Sequence, residues 1–528
     1  MPTAKGPDGI RGDTRLMDFA LVERELSTLV KPGDPGMAFG VYRDGAAVFT
    51  AAQGVACAEF GVPIDARTRF DIASSSKQFT AACVLLLARD GAFGLDDDVR
   101  TLIPGLSLAV PVTVRQLLQH TGGLPEWYAL TPLSGLAFTE MTEERLLRQL
   151  KGIRRTNFPP GTDFSYSNTG YVLAAVLVRE VTGKSLAAFA DERIFKPLGM
   201  DDTVFRDDPS VPLPRMAYGY ATDSGEPRRA DTMEAAVGDG GVVTSVRDLA
   251  PWFGFLADGR VLGVDLRDAL VEQAVLDDGT VLPYAFGVYH GEVAGQACFG
   301  HGGKMHGYTC DLLFFPAAGL GVALLTNQTA VNPSQAGEHL VHLLLGAPPA
   351  AVSPAGTTPG GEVPVGHWHD PATDEVFTVT TAEDGGMDVY WHGITLRFTE
   401  GTDGDWHGTG PASGTRLAAE GGRLTFHPLI RSRRPTVLVP CRAPDPAPMP
   451  DAVYLSEELG VLATVAGGTL HVGLSLRLPI EPGPAGAWRA GPYTLRLDSG
   501  DLLVSGGGLR GFRLTGQPAG TRAIGVPR

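Results

Sequence analysis

The chain has 528 residues, 43 of them Lys or Arg and 59 Asp or Glu, for a formal charge of −16. That balance argues against non-specific binding to nucleic acid or to an anionic membrane surface, both of which need a basic footprint. The length allows roughly three to four domains of about 150 residues, or one large domain and two small ones. Five cysteines, Cys57, Cys83, Cys298, Cys310 and Cys441, are odd in number and contain no CxxC, so neither a disulfide framework nor a thiolate zinc site is expected.

The first 15 residues are polar and rich in Gly, Pro and charge, which predicts a frayed end. They hold no apolar signal core, and no apolar run in the chain is long enough to cross a bilayer. The expectation is a soluble, cytoplasmic protein. Met17 to Leu29 has apolar residues at helical spacing, and Met37–Tyr42 and Ala47–Thr50 flank Arg43-Asp44-Gly45 as a hairpin of an antiparallel sheet.

Phe70-Asp71-Ile72-Ala73-Ser74-Ser75-Ser76-Lys77 opens a run, Phe79 to Ala88, that is apolar on nearly every face. Such a run predicts a helix buried at the centre of a domain. A serine hydroxyl is a weak nucleophile until a base takes its proton, and residues three apart share a helix face. Of the three serines only Ser74 stands three residues before Lys77. A lysine withdrawn from water gives up its proton more readily, and the positive end of the helix dipole favours negative charge at Ser74. The competing reading is a helix cap followed by a solvated lysine.

Val112 to Pro125 predicts a short helix stopped by Gly122-Gly123 and Pro125, with His120 anchoring its end and the following loop through hydrogen bonds; a catalytic role for His120 is the competing reading. Tyr166-Ser167-Asn168 lies in a turn-rich loop before a helix over Val172 to Thr182. A phenol near an ammonium suits a phenolate base, and an amide two residues on can orient both a lysine and a substrate. His301-Gly302-Gly303-Lys304 precedes the apolar strands Asp311–Pro316 and Gly321–Asn327, where glycines let a substrate backbone approach an edge. His301 and His306 lack the companions that a metal site needs, and no metal is expected.

Ser74-Ser75-Ser76-Lys77, Tyr166-Ser167-Asn168 and His301-Gly302-Gly303, in this order, resemble the penicillin-recognising serine hydrolases: class C β-lactamases, DD-peptidases, and related esterases and D-aminopeptidases. His120-Thr121-Gly122-Gly123-Leu124 and Ile194 to Met200 look like the same family. The resemblance covers about residues 17–346. It implies an α/β (α+β) serine β-lactamase/DD-peptidase-like domain, with a five-stranded antiparallel sheet and a helical lobe. It further implies attack by Ser74, proton handling by Lys77 and Tyr166, and an oxyanion hole from the backbone N–H groups of Ser74 and Lys304. Asn168, His301 and Gly303 would bind substrate. His301 stands where β-lactamases carry lysine, which favours the esterase and D-peptidase branch.

Residues 347–362 have the composition of a linker, and a second one spans 443–450. Between and beyond them, segments such as Glu375–Thr381, Met387–Trp391, Thr395–Thr399, Arg423–His427 and Thr436–Val439 alternate and are separated by glycine-rich turns. That pattern predicts small antiparallel β-barrels. The expected organisation is a hydrolase domain over 1–346 and two barrels over 363–442 and 451–528. His367-Trp368-His369 reads as a strand start with packed aromatics.

A hydrolase followed by two barrels is similar to the D-aminopeptidases, in which a loop of the last barrel offers an acid to the substrate ammonium. The corresponding turn, near Trp488–Pro492, has no acid here, and Glu481 is the candidate substitute. The expected function is hydrolysis of amides or esters of small, D-configured amino acids or short peptides through an acyl-enzyme at Ser74, without a cofactor. An esterase or transacylase, such as a peptide cyclase, is one alternative; a slowly deacylating penicillin-binding-like receptor is another. Related enzymes suggest a homodimer, and neither nucleic acid nor membrane is expected as a partner.

Overall fold

The computed structural model describes residues 17–222, 226–231, 236–346, 364–382, 385–391, 394–401, 404–409, 415–427, 436–444, 447–473, 475–518 and 521. The predicted frayed end and the linker over 347–362 lie outside them. The chain forms two units. One takes Met1–Asp97, Tyr171–Val275 and Gly279–Val352; the other takes Asp98–Gly170, Leu276–Asp278 and Ser353–Arg528.

In the first unit, helix α1 (Phe19–Leu29) starts at Asp18, whose carboxylate accepts from Leu21 N–H. Strands β1 (Met37–Arg43) and β2 (Ala46–Gln53) form the predicted hairpin. Its turn residues Asp44 and Gly45 both have positive φ, 53° and 77°, as the two-residue turn matched to strand twist requires. Strands β3 (Tyr289–Val293), β4 (Gln296–Met305), β5 (Tyr308–Phe315) and β6 (Leu320–Thr326) complete an antiparallel sheet in the order β3-β4-β5-β6-β1-β2. Six strands are described where the resemblance implied five. The tight turn at Ala294-Gly295, with φ of 53° and 72°, folds β3 back on Gln296–Gly300.

Val22 and Leu26 of α1 and Leu340 and Val341 of the helix Pro333–Leu344 bury themselves against Phe39, Val41, Leu313, Val322 and Leu324 of the sheet. Each such side chain contributes about 1.5–3 kcal/mol of transfer free energy. Helix α2 (Lys77–Arg89) is buried at every position from Lys77 to Leu87, as its apolar sequence predicts. Among the described residues, no helix is long and apolar enough to cross a membrane.

The second unit contains the helices Val99–Leu102, Val114–Leu118, Trp127–Leu133 and Glu143–Gly152. It also contains two barrel-shaped sheets. Eight strands from Gly366–His369 to Thr436–Pro440 close completely around Trp368, Phe377, Met387, Phe398 and Phe426. Trp368 is buried in that core, as its position at a strand start suggested. Nine strands between Ala452 and Gly516 form a nearly closed sheet, whose end strands Leu476–Pro479 and Glu481–Pro482 are neighbours in sequence.

Candidate active site

In the first unit the short strand Phe70–Asp71 pairs with Val243 and Thr244 and delivers the chain to a tight turn. Ala73 there has φ of +44°, a left-handed conformation that costs a residue with a Cβ about 1–2 kcal/mol. A 3₁₀ turn over Ala73–Ser76 then runs directly into α2. Ser74 is half-buried, whereas Ser75 and Ser76 are 0% exposed and spent on the backbone. Ser75 donates to the His301 carbonyl at 2.6 Å, and Ser76 Oγ accepts from Val242 N–H at 2.9 Å. Ser74, the serine that the spacing to Lys77 singles out, is the partly exposed one of the three.

Lys77 is 0% exposed. Its Nζ donates to Ser74 Oγ at 3.0 Å and to the Asp239 carbonyl at 2.7 Å, and lies 5.4 Å from the centre of the Tyr171 ring. The serine and the amine are therefore in hydrogen-bond contact, the geometry a nucleophile and its base need.

Strand β4 runs alongside this turn. Gly303 makes the approach feasible, since a Cβ there would stand 2.4 Å from the Ile72 carbonyl oxygen. His306-Gly307 closes the β4–β5 hairpin, with Met305 opposite Tyr308 and Lys304 opposite Thr309. A two-residue turn closes on a hydrogen-bonded pair, so the next pair points its N–H groups away from the partner strand. The Lys304 amide thus faces the outer edge of β4, where the pairing with β3 has stopped at Gly300. The Ser74 N–H lies in the first turn of a helical run and has no intrahelical acceptor.

His301 is 4% exposed; its Nδ1 lies 2.5 Å from the Gly302 carbonyl and its Nε2 3.2 Å from Tyr284 Oη. Burial, then the Lys77 charge, push the imidazole pKa down to about 3, so it stays neutral. The positive charge that a lysine would supply here is missing. Among the described residues, no three His, Cys, Asp or Glu side chains group as metal ligands.

Tyr166 and Asn168 belong to the second unit. His120, with φ of +60° and 2% exposure, holds the loop on both sides of Tyr166: its carbonyl accepts from Ser165 N–H and its Nδ1 from Ser167 N–H, each at 3.1 Å. Its ring packs on Tyr166 with centroids 4.3 Å apart. This is the anchoring role expected of His120. Sequence reasoning missed Glu126, which is 8% exposed. Glu126 Oε2 accepts from Asn168 N–H at 2.7 Å, Oε1 lies 3.3 Å from Asn168 Nδ2, and the same carboxylate caps the helix Trp127–Leu133. The only signal for it was an acid directly after His120-Thr121-Gly122-Gly123-Leu124-Pro125.

The last sheet touches this loop system through a hairpin other than the expected one. Gly508 has φ of +92°, and a Cβ on it would stand 2.7 Å from Glu126 Cβ. Its carbonyl accepts from Asn157 Nδ2 at 2.9 Å and from Glu126 N–H at 3.3 Å. Arg510 lies over the Phe158 ring and pairs with Asp163 at 2.7 Å. Around the turn near Trp488–Pro492, the Arg489 guanidinium instead covers Tyr390 of the closed barrel. The Glu481 side chain is 65% exposed and stands 3.8 Å from Arg489.

The family model Beta-lactamase matches residues 22–347. A D-aminopeptidase of Cereibacter sphaeroides is 30% identical over 417 residues, covering 78% of this chain and 77% of the relative. A D-aminopeptidase of Brucella ovis is 31% identical over 358 residues, 67% of each chain. Among solved structures, D-amino acid amidase from Ochrobactrum anthropi SV3 is 26% identical with a TM-score of 0.52, covering 62% of this chain and 96% of that one. SurE with D-Leu is 25% identical with a TM-score of 0.53, covering 80% and 98%.

Proposed function

The chain belongs to the β-lactamase family and is a serine hydrolase, and from this we propose that it cleaves amides of small D-amino acids or short peptides bearing a free amino group, through an acyl-enzyme at Ser74. The observation that carries the proposal is the 3.0 Å contact between Lys77 Nζ and Ser74 Oγ, with the lysine fully buried. Ser74 Oγ attacks the substrate carbonyl while its proton passes to Lys77, with Tyr166 the second proton-handling group that the family resemblance implies. The oxyanion is met by the N–H groups of Ser74 and Lys304, donors that contribute about 3–4 kcal/mol each to a transition state. The C–N bond then breaks, the amine leaves with the proton, and water, deprotonated by the same base, hydrolyses the ester.

The family resemblance assigns substrate binding to Asn168, and likewise to His301 and Gly303 on β4. A neutral His301 offers no charge to a substrate carboxylate, which supports an enzyme acting at an amino end over one acting at a carboxyl end. For the ammonium, Glu126 is the better partner than Glu481. It is a buried carboxylate already bonded to Asn168, whereas Glu481 is solvated and beside Arg489. The relatives named D-aminopeptidase and D-amino acid amidase support the substrate class.

Intact-mass measurement during turnover of D-alanine p-nitrophenyl ester tests the mechanism: an added D-alanyl group on Ser74, lost in Ser74→Ala, is expected. Partitioning of that acyl group to an added amine rather than water would make the enzyme a transacylase, and a single burst without turnover would make it a receptor.

A further inference from the structure

We propose that Asp71 is a positioning residue for the reaction at Ser74: its carboxylate holds the turn that presents the nucleophile in a conformation the backbone would otherwise leave. The proposal rests on Ser74 being the nucleophile. Asp71 is 3% exposed, and its Oδ1 accepts from Ala73 N–H at 2.7 Å. A short carboxylate bonding to the backbone two residues on stabilises a local turn. Here it acts on the one residue of the turn with positive φ, Ala73. Observed strain next to a reactive group is the kind of outlier from which function is inferred.

Everything around Ala73 is already fixed. Ile72 N–H donates to the Val242 carbonyl at 2.9 Å, and the Ile72 carbonyl accepts from Ser75 N–H at 3.0 Å and from Cys310 Sγ at 3.1 Å. On the far side, Ser74 Oγ meets Lys77. The strain is thus confined to the single residue between a locked strand end and the nucleophile. Without the Asp71 acceptor, the Ala73 N–H loses its side-chain partner, the left-handed residue is held only by the bonds on either side of it, and Ser74 shifts relative to Lys77.

The groups facing Asp71 define when it works. The Arg206 guanidinium favours the carboxylate, while burial and the Asp239 charge oppose it. Tyr308 and Cys310, from β5, are held neutral by burial. Burial dominates and raises the Asp71 pKa to about 6. Above that pH the carboxylate is a strong acceptor for Ala73 N–H; below it the protonated acid is a weaker one.

The test is the steady-state hydrolysis of an activated ester by Asp71→Ala and Asp71→Asn from pH 5 to 9, beside Ser74→Ala. A nucleophile misplaced by an ångström costs about 100-fold, so Asp71→Ala is expected to lose about that in kcat with KM nearly unchanged. Asp71→Asn, which keeps the acceptor, is expected to recover most of the rate and to lose the acid limb near pH 6. A kcat for Asp71→Ala within about threefold of wild type overturns the proposal, whatever happens to the melting temperature. If Asp71→Ala does not fold, persistence of the acid limb in Asp71→Asn overturns it instead. An active Ser74→Ala would remove the nucleophile reading itself, an outcome separate from an inactive Ser74→Ala beside an unaffected Asp71→Ala.

Discussion

The Ser74 turn and the Tyr166–Asn168 loop carry the two halves of the proposed chemistry, and they are held by different forces. The turn is held by the core: Lys77 is fully buried, and neighbouring hydroxyls are consumed by backbone groups. The loop is held by polar side chains, with His120 on both sides of Tyr166, Glu126 on Asn168, and Arg510 on Asp163. A base working on a serine gains from a dry setting. A loop that must receive a charged substrate group gains from hydrogen bonds that fix direction. The turn should therefore tolerate almost no change, and the loop should respond in graded fashion.

The largest expected effect is Ser74→Ala, which should lower kcat by about 10⁴-fold or more with the melting temperature preserved, since the residual rate comes only from binding and the oxyanion donors. Next is Glu126→Gln, which removes a charge-assisted partner of about 2–5 kcal/mol. It should raise KM for amino-acid anilides strongly and leave N-acylated substrates little changed, whereas Glu481→Gln should change neither. A Glu481 variant with the larger effect would return the ammonium site to the last sheet.

A smaller effect concerns stability and pH. The Asp71 pKa is raised from 3.8 to about 6, so its favourable contribution is complete below about pH 4 and is lost as pH rises through 6. At about 1.4 kcal/mol per unit, that amounts to about 3 kcal/mol by pH 7. Asp71→Asn should therefore gain stability on wild type between pH 4 and 7 in urea titrations. The smallest effect is Arg510→Ala, which should cost about 1–2 kcal/mol and lower kcat modestly. The double-mutant cycle with Asp163→Asn should assign most of that to their pair. Independence of the two substitutions would mean the hairpin merely rests on the loop.

Much of this was legible because the informative spacings are local. Ser74 to Lys77 is one turn of helix, Tyr166 to Asn168 is one loop, and in Met387–Trp391 the buried Met387 and Val389 alternate with the partly exposed Asp388 and Tyr390. What escaped depends on separations no window spans. Glu126 meets Asn168 across 42 residues of chain. Which hairpin of the last sheet reaches Glu126 depends on how that sheet closes, and nothing local in the sequence marks Gly506-Gly507-Gly508 as that hairpin. Nothing in the sequence sets Asp71 apart, because its proposed role lies in a backbone angle at Ala73 that composition does not reveal.

Whether the proposed D-selective amidase acts through Ser74 is read from the ratio of kcat/KM for D- and L-alanine p-nitroanilide, with p-nitrophenyl acetate alongside and Ser74→Ala as the blank. A large preference for the D-anilide that vanishes with Ser74→Ala is expected. Ester cleavage with neither anilide turned over would contradict it.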